Sequence, residues 1–356
     1  MRTKTYVVGL GVTVLVSLAH HVAAREWTDE MFEQKVSAGR PFLAVASRDA
    51  ERAHSVIGSS RFYQVQQKDT FLDIARYYDL GFNEISEANP GVDDWVPPPG
   101  QAILLPTEWV LPDVEYRGVV MNIPEMRLFY FRAAGDGTTM VTTYPVGLGR
   151  DEWRTPEGKF KVVEKTVNPR WILPASIKAE HKKDGKPAPD FIAGGDPENP
   201  LGKYRLRLTL PLYGIHGTDI PWGVGMEVSH GCVRLYPEDI ERLFPMIPVG
   251  TPGQFVYQPV KVGAREGHIF LEVHKDIYGM LPAPYREALR LIDKFGWRAQ
   301  VDISRVQRAV IEQSGVPMDV TREVDVEQVE DETVHPRSEP ATHQVRAADF
   351  PSPRTH

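Results

Sequence analysis

The chain has 356 residues, of which 42% are hydrophobic and 25% charged, and its formal net charge is −7. A surface that binds nucleic-acid phosphates needs an excess of Lys and Arg, so this balance argues against a nucleic-acid partner. The length is enough for two domains, or for one large domain with appendages.

The N-terminal residues have the pattern of a secretory signal. Arg2 and Lys4 precede an apolar run from Tyr6 to Ala19, and the small residues Val22-Ala23-Ala24 follow it. This order predicts cleavage after Ala24 and export from the cytoplasm. The apolar run is shorter than the about 20 residues that span a bilayer, although an uncleaved membrane anchor is the alternative. We therefore expect no transmembrane segment in the mature chain and exclude residues 1–24 from the fold.

A compact module is predicted at residues 62–107. Thr70 lies three residues before Asp73, which is typical of a helix start, and Asn89-Pro90-Gly91 ends a second helix because Pro and Gly cannot continue it. The predicted order is strand, helix, helix, strand: Phe62–Val65, a helix carrying Phe71, Ile74, Ala75 and Tyr78, then Phe82–Ala88 and Ala102–Pro106. We expect a βααβ unit.

From about residue 117 the sequence becomes typical of β structure. Segments rich in β-branched and aromatic residues recur, and their spacing predicts a mostly antiparallel β domain over residues 117–260. The clearest helix begins at Pro237, a residue suited to the first helical position, and continues to Phe244. The fold class is therefore α+β, mostly β. The predicted strands are Val119–Ile123, Arg127–Phe131, Met140–Val146, Gly158–Thr166, Tyr204–Leu210 and Gln254–Gln258.

Three further segments are assigned more coarsely. Pro174 to Gly202 is predicted to be irregular, and either a lid or a solvated linker explains such a length. A C-terminal extension at residues 261–315 contains an amphipathic stretch, Pro284 to Phe295. The acidic residues 316–356 lack apolar periodicity, which predicts a disordered tail.

Cys232 is the only cysteine. In an exported chain a lone thiol forms no internal disulfide, so it is inert, intermolecular or a nucleophile. A nucleophilic thiol needs a base, and both His216 and His230 are close in sequence. The Gly217 carbonyl is placed to orient the His216 ring. The amides of Gly231 and Cys232 are suited to an oxyanion hole.

Five residues are candidates for substrate binding. His230 is one of them, besides being the alternative base, and the other four each have a structural alternative. Arg234 is suited to pair with a substrate carboxylate, or with a structural ion-pair partner. Ser229 either contacts substrate or hydrogen-bonds within its turn. Tyr213 and Trp222 either wall the acyl site or pack against the β core. No zinc, paired-carboxylate or phosphate-loop motif stands out.

Two sets of motifs resemble known families. His216-Gly217-Thr218 and Ser229 to Leu235, with Tyr144 to Gly149 and Arg154 to Gly158, resemble the L,D-transpeptidase (YkuD) catalytic domain over about residues 118–260. The residues from Tyr63 to Thr70, Asn89-Pro90-Gly91 and the terminal Ile-Leu-Leu-Pro of the module resemble a LysM unit. The combination is similar to periplasmic enzymes that attach Braun-type lipoprotein to peptidoglycan.

The resemblance implies a YkuD-type, β-sandwich-like domain and a cysteine acyltransferase. Cys232 would attack a peptidoglycan tetrapeptide stem, release D-alanine and hold a thioester. An amine would then resolve it, from a lipoprotein lysine or from another stem in a 3-3 cross-link. His216 is favoured over His230 as the base on this ground. No metal or cofactor is implied, and the LysM-like module implies glycan binding, with a packing module as the alternative.

Two other functions stay open from the sequence. A hydrolase would use the same thioester and give it to water. A non-catalytic wall-binding protein would act through the LysM-like module alone, although the intact His and Cys motifs argue against it.

Overall fold

A computed structural model describes residues 26–35 and 41–323. The predicted signal peptide and the tail beyond residue 323 lie outside the described residues. The described residues up to Thr321 form one compact unit, and of the second unit only residues 322 and 323 are described. In the described part of the chain, no helix combines the length and apolar character needed to cross a bilayer.

Seven α-helices and three 3-10 turns are present in the described residues. The α-helices are α1 Asp29–Glu33, α2 Phe71–Tyr77, α3 Phe82–Ala88, α4 Ala175–Lys183, α5 Pro237–Met246, α6 Pro284–Phe295 and α7 Ile303–Glu312. The 3-10 turns are Asp151–Trp153, Pro221–Gly223 and Arg298–Gln300.

Twenty short strands accompany them. In chain order they are β1 Phe42–Ala44, β2 Val56–Gly58, β3 Arg61–Gln64, β4 Ala102–Leu105, β5 Glu108–Val110, β6 Gly118–Asn122, β7 Arg127–Ala133, β8 Thr139–Pro145, β9 Leu148–Gly149, β10 Gly158–Val167, β11 Trp171–Ile172, β12 Phe191–Ile192, β13 Tyr204–Leu208, β14 Gly214–His216, β15 Glu227–Ser229, β16 Val233–Arg234, β17 Pro252–Val256, β18 Val260–Arg265, β19 His268–Val273 and β20 Met318–Asp319. The fold is a mixed, sheet-rich α/β arrangement.

The main sheet has nine strands in the order β1-β8-β7-β6-β17-β10-β13-β14-β16. Most neighbours are antiparallel, as the strand spacing predicts. The β6–β17 and β14–β16 pairs are parallel, which short-range patterns do not reveal. The second of these pairs decides the geometry of the site, because it places two separate sequence motifs side by side.

The βααβ order predicted for residues 62–107 is confirmed. Strands β3 and β4 pair antiparallel, and the Thr70 hydroxyl accepts a hydrogen bond from the Asp73 amide at the start of α2. This module shares one buried core with the main sheet: Phe71 and Ile85 belong to the same cluster as Phe129. Burial of this shared apolar surface stabilises both parts together.

The prediction that Pro174 to Gly202 is irregular is wrong for its first third, since α4 occupies Ala175–Lys183. The helix buries only Ile177, so its sequence carries no apolar stripe from which a helix is recognised. Strands β11 and β12 form a small two-stranded sheet beside it.

The C-terminal region shows one confirmed and one wrong prediction. The amphipathic stretch Pro284–Phe295 is α6. Disorder from residue 316 is wrong for residues 316–321, because β20 pairs with β19 and Val320 is fully buried. The strand is only two residues long, too short to show periodicity.

Candidate active site

His216 and Cys232 come together because β14 and β16 are parallel neighbours. Ile215 pairs with Val233 and His216 with Arg234, so Cys232 enters β16 beside the strand that ends in His216. As predicted, Cys232 lies where a loop enters a strand. The 3-10 turn Pro221–Gly223 and strand β15 lie in the loop that connects the two motifs.

The His216 ring is buried and held by a backbone carbonyl. Its Nδ1 lies 2.6 Å from the Gly217 carbonyl oxygen, and the residue is 2% exposed. A carbonyl only accepts hydrogen bonds, so Nδ1 carries the proton and Nε2 is left as the basic atom. Burial lowers the His216 pKa to about 3, with the Arg234 charge adding to the effect and the Gly217 carbonyl opposing it. The imidazole is therefore neutral at physiological pH.

The Cys232 thiol is partly accessible to solvent and is uncharged at rest. Its Sγ lies 3.6 Å from the Leu212 carbonyl oxygen. Burial raises the pKa of the thiol, opposed by a hydrogen bond with the Gly214 backbone and by the Arg205 and Arg234 charges. The resting pair is therefore a neutral thiol with a neutral imidazole.

The turn before Cys232 is fixed by Ser229. The Ser229 hydroxyl donates to the Cys232 carbonyl (2.7 Å) and accepts from the Gly231 amide (3.1 Å). Ser229 therefore stabilises the turn, which is the structural role considered for it beside substrate binding. The Gly231 N–H is engaged in this contact, which argues against its predicted place in an oxyanion hole and leaves the Cys232 N–H as the candidate donor.

Gly231 has a positive φ of 98°, and a Cβ there would lie 2.5 Å from Tyr213 Cε1. Glycine is required here for two reasons: other residues rarely adopt this positive φ, and a side chain would clash with the Tyr213 ring. Tyr213 packs against the turn that presents Cys232, so it walls the site from the side of the turn.

Thr155 and Tyr278 support this turn and were not singled out as site residues. The Thr155 hydroxyl donates to the Gly231 carbonyl at 3.0 Å and accepts from the Gly149 amide at 3.2 Å. The Tyr278 hydroxyl donates to the Gly149 carbonyl at 3.0 Å. Tyr278 belongs to the predicted C-terminal extension, so that segment contributes to the site's framework. The motif Arg154 to Gly158 was the only sequence signal for Thr155.

Arg234 lies beside the pair without a close carboxylate. In residues 26–35 and 41–323 no carboxylate is within 4 Å of its guanidinium, and its Nε has no hydrogen-bond partner. Asp219 and Cys232 are the charges that act on its pKa, and burial lowers that pKa. A partly buried guanidinium next to the thiol, with no carboxylate partner among the described residues, is suited to bind a substrate carboxylate.

His230 points away from this arrangement, toward α4. Its Nε2 lies 2.7 Å from Glu180 Oε2 and 3.0 Å from Arg150 Nη2, and Arg150 also pairs with Glu180 at 2.9 Å. The contacts hold the Glu180 pKa at about 2. His230 thus joins α4 to the turn before Cys232, and neither Glu180 nor Arg150 had a distinguishing sequence signal.

Trp222 lies in a groove whose lining residues do not include Cys232 or His216. Its side chain is 59% exposed, in a groove that it shares with Leu72 and Arg76 of α2 and with Tyr236. The sequence placed Trp222 near the acyl site only because it lies between the two motifs.

One buried cluster has the residue types of a metal site: Glu125, Glu272 and His274. Lys261 Nζ lies 2.7 Å from a carboxylate oxygen of each glutamate, and it also donates to the Val110 carbonyl. The lysine supplies the positive charge that the two carboxylates need, so we assign the cluster a structural role.

A thiol, a basic imidazole nitrogen oriented by a carbonyl and a nearby guanidinium can together perform acyl transfer through a covalent intermediate. The comparisons with known proteins agree with this class of chemistry. The family model described as the L,D-transpeptidase catalytic domain (YkuD) matches residues 116–262.

Three relatives cover much of the chain. Probable L,D-transpeptidase ErfK/SrfK of Salmonella typhimurium is 36% identical over 292 residues, 78% of this chain and 92% of that protein. Probable L,D-transpeptidase YcfS of Escherichia coli is 35% identical over 280 residues, which are 75% of this chain and 85% of that protein. Probable L,D-transpeptidase YbiS of E. coli is 41% identical over 205 residues, which are 57% of this chain and 65% of that protein. The chain belongs to the L,D-transpeptidase family.

Among solved structures, the NMR structure of the catalytic domain from Enterococcus faecium L,D-transpeptidase is 19% identical. It covers 41% of this chain and 100% of that domain, with a TM-score of 0.29. The assignment to the family rests on the sequence relatives and on the family model.

Proposed function

We propose that the chain is a periplasmic L,D-transpeptidase in which Cys232 forms a thioester with a peptidoglycan tetrapeptide stem. The observation that carries the proposal is the parallel pairing of β14 with β16, which places the oriented His216 ring beside the strand that Cys232 enters. The family membership supports a peptidoglycan substrate.

In the acylation step, the Cys232 sulfur attacks the carbonyl at the L-centre of the stem's diamino acid, the residue before the terminal D-alanine. His216 Nε2 takes the thiol proton as the C–S bond forms, and the Cys232 N–H stabilises the oxyanion. The C–N bond then breaks, and the D-alanine amine leaves with the proton from His216. Arg234 is proposed to hold a carboxylate of the stem during this step.

In the second step an acceptor amine attacks the thioester, His216 removes its proton, and the thiol is regenerated. The energy of the old peptide bond is kept in the thioester, so the new amide forms without a nucleotide cofactor. We propose a lipoprotein lysine or the diamino acid of another stem as acceptor. Water is the acceptor in the alternative hydrolase, which shares every site residue.

The acceptor is identified by a chase experiment. Mature enzyme, acylated with a disaccharide tetrapeptide and freed of excess donor, is divided among buffer, a lysine-bearing lipoprotein peptide and a second stem. Intact mass spectrometry follows the adduct and the products. We expect faster loss of the adduct with one amine, and formation of the corresponding amide. Loss at the same rate in all three samples, with hydrolysed stem as the only product, would establish the hydrolase.

The same assay separates His216 from His230 as the base. We expect His216→Ala to lower the acylation rate by about 10²–10⁴-fold, as loss of a general base does. His230→Ala breaks the contacts with Glu180 and Arg150 but keeps the oriented base, so we expect a much smaller effect. The opposite ranking of the two variants would transfer the role of base to His230.

A further inference from the structure

Trp222 is an exposed indole on a fixed support. The Gly225 amide donates to the Val146 carbonyl at 3.1 Å, and the Phe82 amide donates to the Val224 carbonyl at 3.2 Å. A Cβ on Gly147 would lie 2.4 Å from the Gly223 carbonyl oxygen, so the chain passes here without room for a side chain. An aromatic ring that is 59% exposed, on backbone held from both sides, presents a defined surface to solvent.

The ring forms one wall of a groove of about 290 Å³. Leu72, Asp73 and Arg76 of α2 and Tyr236 also line it, together with Phe32, Thr70 and Pro221. This volume is at the lower end of the roughly 300–1,000 Å³ of small-ligand sites. The groove combines apolar surface with a carboxylate whose Oδ2 accepts from the Thr70 hydroxyl at 2.6 Å.

The charges of the groove argue against an anionic ligand. The Arg76 guanidinium is already bound by Glu238 through two hydrogen bonds, of 3.1 and 3.0 Å. The Asp73 carboxylate adds a negative charge on the same helix. What the groove offers is a flat aromatic face beside hydrogen-bonding groups, which suits a neutral ligand with an apolar face and a rim of hydroxyl or amide groups.

We propose that this groove is a saccharide subsite, in which Trp222 stacks on a sugar ring of the glycan that carries the donor stem. The inference rests on the proposed function, because it concerns the same substrate. Trp222 lies on the loop that leads from His216 to Cys232, so a sugar bound there is attached to the rigid frame that holds the thiol. The stem peptide then extends from the glycan toward Cys232.

Two donors test the proposal: a disaccharide tetrapeptide and the same tetrapeptide without sugar. We expect Trp222→Ala to lower kcat/KM for acylation of Cys232 by the sugar-bearing donor about tenfold, while the rate with the free peptide changes little. Leu72→Glu lies on α2, outside the catalytic loop, and we expect the same selective loss. Ile311→Ala, an 82% exposed control on α7, leaves both rates unchanged. Equal losses with both donors would overturn the proposal, because they would show a disturbed loop.

A binding measurement decides the proposal even if no donor acylates the enzyme. Cys232→Ala protein is titrated by calorimetry with a peptide-free tetrasaccharide of N-acetylglucosamine. We expect binding that Trp222→Ala and Leu72→Glu weaken about tenfold. Trp95→Ala removes an equally exposed indole from the βααβ module. No binding, or binding that depends on Trp95 and not on Trp222, would contradict the subsite. Acylation by neither donor would instead contradict the proposed function.

Discussion

Burial favours the uncharged form of both groups at the centre of the site. It lowers the pKa of His216 to about 3 and raises the pKa of Cys232. The thiol is therefore not stored as a thiolate beside an imidazolium, and we infer that His216 removes the proton as the sulfur attacks. The positive charge of Arg234 also disfavours protonation of His216.

This account predicts how the free enzyme reacts with iodoacetamide. Alkylation requires the thiolate, so its rate should rise with pH and reach half its maximum above about 8.5, the ordinary value for cysteine. The measurement is the alkylation rate of Cys232 by mass spectrometry between pH 5 and 10. His216→Ala should shift the profile little. A plateau already at pH 6 that disappears in His216→Ala would show a thiolate–imidazolium pair instead.

Gly231 gives a second prediction. Gly231→Ala forces an L-residue to φ 98° and places a Cβ 2.5 Å from Tyr213 Cε1, so we expect displacement of the turn and an acylation rate lower by more than about tenfold. Gly250 is the matched control, since its φ is 92° and nothing lies within 4 Å of a Cβ there. Gly250→Ala should cost backbone strain of about 1 kcal/mol and keep acylation. Equal activity of the two variants would contradict the contact with Tyr213.

A buried ion pair joins the βααβ module to the main sheet. Arg127 of β7 donates to both carboxylate oxygens of Glu84 of α3, at 2.9 and 2.7 Å, and neither side chain is more than slightly exposed. Glu84 also accepts from the Gly81 amide and from Trp109 Nε1. With all these contacts satisfied, the pair fixes how α3 packs on the sheet.

We expect Arg127→Ala to lower the free energy of unfolding by about 3–5 kcal/mol, because it leaves the Glu84 carboxylate buried and unpaired. The matched control is Arg298→Ala. Arg298 also makes two hydrogen bonds to one carboxylate, that of Asp293, but at the surface, where a loss of about 0–1 kcal/mol is expected. Denaturant unfolding measures both, and similar losses would contradict the structural role of the buried pair.

Sequence patterns predicted the elements whose cause is local. The cap at Thr70, the stop after Ala88 and the first-turn Pro237 each depend on neighbouring residues, and each is found. The parallel β14–β16 pair, by contrast, depends on residues far along the chain. Helix α4 was missed because its Glu180 is held by distant residues. Arg150 lies 30 residues and His230 lies 50 residues away along the chain.

The same difference applies to the candidate site. The motifs identified His216, Gly217 and Cys232, and the structure brings the two motifs together. It also places the Ser229 hydroxyl in a local turn contact and Trp222 in a groove lined by residues of α2. Which side chain faces the thiol is a property of packing between strands, and no spacing along the sequence encodes it.

Residues 26–35 and 41–321 form one compact unit with shared buried contacts. The core of the βααβ module continues into the main sheet, and Tyr278 of the C-terminal extension supports Gly149 next to the thiol turn. The predicted boundaries at 62–107, 117–260 and 261–315 therefore separate sequence regions that share buried contacts.

Deleting residues 62–107 should consequently destabilise the main sheet as well as remove the βααβ module. It would expose Phe129 and Val120 of the main sheet, and we expect a large loss of stability, measured as a lower thermal midpoint and poor solubility. A truncated protein that keeps the wild-type thermal midpoint and acylates normally would show that the module is an independent appendage.

The central claim is that Cys232 is the nucleophile of an L,D-transpeptidase. Its most direct test is peptide mapping, by mass spectrometry, of enzyme incubated with a disaccharide tetrapeptide under reducing conditions. The account predicts one adduct, on Cys232, with the mass of the donor less D-alanine, and no adduct in a folded Cys232→Ala variant. An adduct on another residue, or D-alanine release by Cys232→Ala at the wild-type rate, would contradict it.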